Sequence, residues 1–283
     1  MSVEVKEVCQ PCDLEGCVQL QRRVWGFDER DIVSVAMLRT CRGYGGLLLG
    51  AWLPEAGLVG FVFSFPALLG KRTIQHSHML AVLEPFRDQG IGQKLKWAQY
   101  RQASDRGIGR ITWTFDPLEA RNGNLNLNKL GAVVRRYHVN LYGEGTSSDL
   151  HKDLGTDRFL AEWEVAPQPP QGRPGWVDLD RALSDPQTLL TRRDRRGLLV
   201  PSRLDLHRGE PWLAVEIPAR IQKLKTLDPD LAGQWRRMTR AVFRHYLKIG
   251  YEVVGVRVSR PGGNRLRTFY RLRRENEARG HED

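Results

Sequence analysis

Apolar positions at every second residue mark the strands of this chain, and apolar positions three and four apart mark its helices. Val3 to Val8 alternates as an edge strand. Asp13 stands where a cap would open a helix from Leu14 to Val24, with Leu14, Val18 and Gln21 on one face. Ile32 to Leu38 predicts a second, short helix. Gly45 to Trp52 and Gly57 to Phe65 predict a hairpin turned at Pro54-Glu55-Ala56-Gly57, and Ile74 to Val82 a third strand. A helix from Gln93 to Arg106 follows, then strands near 110–115, 133–142 and 159–165.

Ala166 to Gly175 is too rich in proline for a helix or an interior strand, because proline lacks an N–H and fixes φ. It reads as an extended linker between a first domain, residues 1–165, and an extension, residues 176–283. In the extension, Trp212 to Pro218 reads as a strand and Leu231 to Lys248 as a long helix ended by Gly250. Strands follow at Tyr251–Val258 and Leu266–Leu272. The whole is of the α/β (α+β) class: a mixed, mostly antiparallel sheet flanked by helices, with a smaller α/β unit that completes the sheet or dimerises it.

At 283 residues and 41% hydrophobic content the chain can bury more than one core. It shows neither an apolar run of membrane-spanning length nor a secretion signal, which predicts a cytosolic protein. Cys9, Cys12, Cys17 and Cys41 include a C-x-x-C, but nothing brings the others to it, so reduced thiols and no metal are expected. The net charge of +11 is uneven: Lys plus Arg against Asp plus Glu is 21 to 19 up to residue 175 and 23 to 14 beyond it. Basic character suits an anionic ligand, an acidic partner or nucleic acid. No basic patch is interleaved with aromatics as in single-strand readers, which argues against nucleic acid.

Chemistry concentrates at Pro85-Phe86-Arg87-Asp88-Gln89-Gly90-Ile91-Gly92, between the third strand and the helix that follows it. A helix N-terminus presents unpaired N–H groups and about half a positive charge, and glycines let a phosphate approach the backbone. Such a loop is built for a pyrophosphate. Gln93 stands where a nucleoside-triphosphate loop needs Lys, and Lys94-Leu95 breaks the dinucleotide fingerprint.

Leu80-Ala81-Val82 followed by Arg87-x-x-Gly90-x-Gly92 resembles the acetyl-CoA loop of the GCN5-related N-acetyltransferase superfamily, with Glu84 in the usual proline slot. Asn122 to Ala132 is similar to that superfamily's closing helix, with Lys129, Leu130 and Gly131 aligned. Leu127 replaces the usual tyrosine and Ala132 the usual phenylalanine. Trp113 to Leu118, followed by Arg121-Asn122 and the segment to Gly131, resembles a branch associated with N-acylamino-acid racemases. The superfamily resemblance covers about residues 1–165; that of the branch extends to the C-terminus.

The resemblance implies acyl transfer from acetyl-CoA, or another acyl-CoA such as succinyl-CoA, to an amine. Leu80, Ala81 and Val82 would pair with the pantetheine, and Arg87, Asp88, Gln89, Gly90, Ile91, Gly92 and Gln93 would hold the pyrophosphate. Asn122, Asn126 and Lys129 would complete the cofactor contacts. Four asparagines at 122, 124, 126 and 128 are costly inside a helix unless they bind something.

For the base, His76 and His78 alternate on the strand before the loop; packed or surface imidazoles are the competing reading. For the acid, Tyr137 and Tyr142 on a later strand stand in for the missing tyrosine, with solvent as the alternative. Asp116 and Glu119 read equally as turn formers. On the long C-terminal helix, Leu231, Trp235, Met238, Val242 and Tyr246 form an apolar face. Arg236, Arg240, Arg244 and Lys248 form a basic stripe, either solvated or a ligand clamp; Arg192-Arg193-Asp194-Arg195-Arg196 is similar. The expected function is an acyl-CoA-dependent N-acyltransferase for a small amine, such as an amino acid, working as a homodimer. The alternatives are a protein N-acetyltransferase, or a non-catalytic acyl-CoA-binding or nucleic-acid-associated module.

Overall fold

The structure, a computed structural model, describes residues 3–143, 154–166, 185–259 and 266–274. The described residues form two compact units, one of residues 3–113 and 163–166, the other of 114–143, 154–162 and everything described from 185 onward. Most of the Pro-rich linker segment lies outside the described residues.

In the first unit the strands β1 (Glu4–Glu7), β2 (Leu47–Leu53), β3 (Gly57–Leu69) and β4 (Arg72–Val82) pair antiparallel in that order. The start of β5 (Arg110–Phe115) then joins β4 in parallel. Helices α1 (Pro11–Trp25), α2 (Val35–Gly43) and α3 (Ile91–Asp105) cover this sheet. Alternation decides which face each residue serves. Phe61 and Phe63 pack on Leu14, Cys17 and Val18 of α1, while Val62 packs on the opposite side with Ile91 and Leu95 of α3, where a bulge at Val59 places that residue as well.

Two boundaries differ from the sequence reading. The first helix opens at Pro11, pre-set for a first helical position, so Asp13 lies in the first turn and is not the cap. The short helix begins only at Val35, because Ser34 accepts the Met37 N–H at 3.3 Å as its cap. Strand β3 runs past Pro66 to Leu69. There β2 has already ended its pairing, at Ser64, so the missing proline N–H faces a free edge.

In the second unit the order is β7 (Arg158–Glu164), β6 (Val133–His138), β11 (Tyr251–Ser259), β12 (Arg267–Arg274), β10 (Trp212–Ile217), and these neighbours pair antiparallel. The C-terminal strands therefore extend a sheet edge at β6 of their own chain. Helix α6 (Pro229–Lys248) is capped by Asp228, which accepts the Leu231 N–H at 2.9 Å. Its Leu231, Trp235, Val242 and Tyr246 are buried as expected, and Met238 is half-buried.

The sequence reading missed the hairpin β8 (Leu189–Arg193)/β9 (Leu199–Leu204) and the short helix α5 (Ile221–Leu227). The arginine cluster at 192–196 is the turn of that hairpin. Asp194 accepts the N–H groups of Arg196 and Leu198, and Arg196 pairs with Asp194 and Asp228. No helix of the described residues is long and apolar enough to cross a membrane.

Candidate functional site

Two features of the first unit bear on the loop singled out by the sequence. The parallel ladder between β4 and β5 pairs Gln75 with Ile111 and His76 with Thr112, while β4 stays paired with β3 as far as Gly60 and Val82. The last residues of β4 thus run on without a partner on β5. His78 occupies a bulge, since Phe63 faces Met79 and Ser64 faces Ser77. Bulges increase local twist and re-aim the strand, which suits a strand leaving its neighbour. Leu80, Ala81 and Val82 lie on this free-running segment.

The turn that follows leads into α3. A 3-10 turn at Glu84–Phe86 leads to Arg87, then Asp88 at φ 65° and Gly90 at φ 80°, where α3 starts. Lys94 N–H is the first to bond back, to Gly90 O at 2.9 Å, so the N–H groups of Ile91, Gly92 and Gln93 lack intrahelical partners. A Cβ on Gly90 would meet nothing within 4 Å, so the glycine serves its left-handed φ and an open approach, not internal packing. The side chains of Arg87 and Gln89 brace the loop instead: Arg87 Nε donates to Val82 O at 2.9 Å and Gln89 Nε2 to Pro85 O at 3.2 Å. The N–H groups left without intrahelical partners at this helix start are therefore backbone ones.

His76 sits at the apex where β4 and β5 part, its Nδ1 3.0 Å from Thr112 Oγ1. Burial first, then the charges of His78 and Lys96, push its pKa down to about 4. His78 keeps an exposed edge, but burial of the rest of its ring lowers its pKa too. Phe65 packs against both rings, at 5.6 and 5.8 Å between centroids. His76 is therefore neutral at pH 7, with a free-base nitrogen, and it titrates well below neutrality. The His76 ring should accordingly titrate near pH 4 when followed by NMR, and an inflection near pH 6.5 would contradict this.

The sequence reading missed Lys96. It falls on the inward stripe of α3 with Leu95, Gln99 and Ala103, and that spacing was the available signal. The side chain is fully buried, its Nζ 2.6 Å from Gln99 Oε1 and 3.7 Å from the Trp113 ring centre. Desolvation holds its pKa well below the usual lysine value. Between that depressed value and about 10.4 the unfolded state binds more protons, so stability should rise with pH across this window. Lys96→Met should flatten that rise and raise unfolding free energy at pH 7 by about 1–3 kcal/mol, measured by denaturant titration at several pH values.

The remaining candidates lie in the second unit. The closing helix of the resemblance is a short turn α4 (Ala120–Gly123) followed by a π-helical turn, Asn124–Lys129, ended by Gly131 at φ 78°. Asn128 clamps β11: its Nδ2 donates to Val256 O at 2.7 Å and its Oδ1 accepts Val256 N–H at 3.1 Å, with Asn124 Oδ1 as a further acceptor at 2.9 Å. The 124/128 pair is thus structural. Asn126 is buried, while Asn122 and Lys129 are exposed.

Tyr137 O–H donates to Asp157 Oδ2 at 2.6 Å, and burial above all raises its pKa far beyond a phenol's, so it is a locked structural group. Strand β6 ends at His138, which puts Tyr142 in a turn, half exposed, with its O–H 2.8 Å from Thr114 Oγ1. The basic stripe of α6 is neither wholly solvated nor open as a ligand clamp. Arg236 forks onto Asp116 at 2.9 and 2.6 Å, and Arg240 onto Asp157 at 2.7 and 2.9 Å, whereas Arg244 and Lys248 are exposed. Asp116 also accepts Leu118 N–H at 2.8 Å in a turn, and Glu119 accepts from Gln222 at 2.6 Å.

No family model matches the chain, and no curated protein matches it. Solved structures to which it is similar include the ribosomal-protein-S18-alanine N-acetyltransferase from Escherichia coli, at 14% identity and TM-score 0.45 over 62% of this chain and 100% of that one. Aminoglycoside 6'-acetyltransferase type Ii is 20% identical, with TM-score 0.45 over 60% of this chain and 100% of that one. Arabidopsis thaliana NAA60, in complex with a bisubstrate analogue, is 16% identical with TM-score 0.47 over 59% and 100%.

Proposed function

We propose that the chain is an acyl-CoA-dependent N-acyltransferase of the GCN5-related superfamily, moving an acetyl or succinyl group to the amine of a small acceptor. One observation carries the reading: β4 runs past the end of its ladder with β5, at His76 and Thr112, straight into a glycine-bearing turn at a helix N-terminus. A thioester cofactor needs both parts. The unpaired backbone of Leu80 to Val82 would pair with the pantetheine amides and orient the carbonyl, and the Gly90–Gln93 N–H groups would hold the pyrophosphate.

The amine attacks the thioester directly, a step that needs the amine neutral and the two groups in line. His76, neutral and at the cleft apex, takes the amine proton. Of the two tyrosines, Tyr142 is half exposed with its hydroxyl held by Thr114, whereas Tyr137 is fully engaged with Asp157. Calorimetry with a panel of acyl-CoAs, followed by a thiol-release assay over small amines, tests the reading. Submillimolar binding of at least one acyl-CoA with amine-dependent thiol release supports it. No binding of any acyl-CoA overturns it.

A further inference from the structure

Charge in the second unit is balanced inside and unbalanced outside. Among its described residues, every acidic side chain except Asp230 is held by a partner. Asp116 holds Arg236, Asp157 holds Arg240, Glu216 holds Arg267, Asp185 holds Arg271, and the others are engaged in the same way. The surplus cations lie at the surface. Arg192, Arg195, Arg203, Arg237, Arg244 and Lys248 are all exposed, and none of their side chains has a hydrogen-bond or ion-pair partner among the described residues.

These six stand on two elements fastened to each other. Arg237, Arg244 and Lys248, seven and four positions apart, share the outer stripe of α6. The β8/β9 hairpin lies along the same helix: Trp235 Nε1 donates to Leu199 O at 3.1 Å, and Tyr246 O–H to Asp205 O at 2.7 Å. Arg203 falls between those two carbonyls, and Arg192 lies on the paired strand. The turn that carries Arg195 is tied to the start of α6 by Arg196 and Asp228, 2.6 Å apart. The cations are thus spread along a fixed platform as long as a 20-residue helix, about 30 Å.

We propose that this face of the second unit binds double-stranded nucleic acid through its phosphates, without reading sequence. A platform of that length spans nearly one turn of a duplex, which carries a negative charge for about every 1.7 Å of its axis. Phosphate contacts need cations held in place and no stacking rings, so the lack of interleaved aromatics that speaks against single strands does not bear on a duplex. Trp235, Phe243 and Tyr246 are buried, which leaves a single strand no ring of α6 to stack on. A lipid surface would want large apolar side chains beside the cations, and none on α6, β8 or β9 is exposed. The proposal stands apart from the acyl-transfer reading of the first unit.

The test titrates the full chain into labelled duplexes of about 20 bp and two unrelated sequences, read by fluorescence anisotropy from about 50 to about 200 mM salt. Both duplexes should bind alike, and log K should fall against log salt with a slope of about −4 to −5, as for roughly five neutralised phosphates. Arg203→Gln with Arg244→Gln should weaken binding at least about 10-fold at the lowest salt and flatten the slope by about two, with an unchanged Tm because neither side chain is paired. Arg192→Gln with Arg237→Gln is a second, independent pair and should act alike. Arg39→Gln with Arg101→Gln removes the same charge from exposed, unpaired arginines of the first unit and should change affinity less than about twofold. Four results would each overturn the proposal: no duplex binding at the lowest salt, an equal loss in the first-unit pair, tighter binding to single strands, or tighter binding to phosphatidylserine vesicles.

Discussion

Gly90→Asp should reduce acyl-CoA affinity at least 100-fold while leaving the chain folded. Gly90 holds φ 80°, a conformation that costs ordinary residues about 1–2 kcal/mol but that Asp and Asn tolerate better than most. A side chain there would project into open space, so folding loses little. The ligand loses much more. A carboxylate would stand at the N-terminus of α3, beside the Gly92 and Gln93 N–H groups that would face the pyrophosphate, adding like charge and bulk in one substitution. Gly90→Asn separates the two, keeping the bulk and removing the charge, and should lose a smaller part of the affinity. Calorimetric titration with acetyl-CoA, beside a thermal scan of each variant, reads both effects. A folded Gly90→Asp chain with wild-type affinity would remove the loop from any account of cofactor binding.

That loop was legible because its information is local. Strand alternation from Ile74 to Val82, glycine at 90 and 92 and the periodicity of α3 all lie within about thirty residues. The apolar face of α6 was legible for the same reason, and the structure buries it. What sequence periodicity could not supply was the partner of a charge. Arg236 and Arg240 read as an outer stripe because helical spacing treats arginine as solvated, but Asp116 and Asp157, brought from 120 and 83 residues away, turn both inward.

Lys96 shows the same blindness from the other side, since it sits on an apolar stripe with Trp113 over its ammonium. The asparagine series misled in a third way. Four amides in a row suggested ligand binding, whereas two of them secure the backbone of Val256, a residue 128 positions further along the chain. Long-range pairing of polar groups decided the arginine and asparagine cases, whereas Lys96 is held by Gln99, three residues along, and by the Trp113 ring.

Arg236→Met should be the most destabilising single change in the second unit, costing about 3–5 kcal/mol. Both members of the pair are 3% exposed, and the fork between them is bidentate. Burial alone would weaken the Arg236 charge, but the Asp116 carboxylate more than offsets it and raises the pKa overall. Removing the guanidinium leaves a buried carboxylate without its bidentate counter-charge, and also removes the donor to Leu154 O at 3.1 Å. Met fills comparable volume, so the loss measures charge and hydrogen bonding, not a cavity. Removing both charges, as Arg236→Met with Asp116→Leu, should recover most of the stability, because the desolvation of two ions disappears with their attraction. Denaturant unfolding of the two single variants and the double variant closes the cycle. Additive losses in the double variant would mean that Asp116 and Arg236 each serve other partners, and that their fork is not what secures this helix.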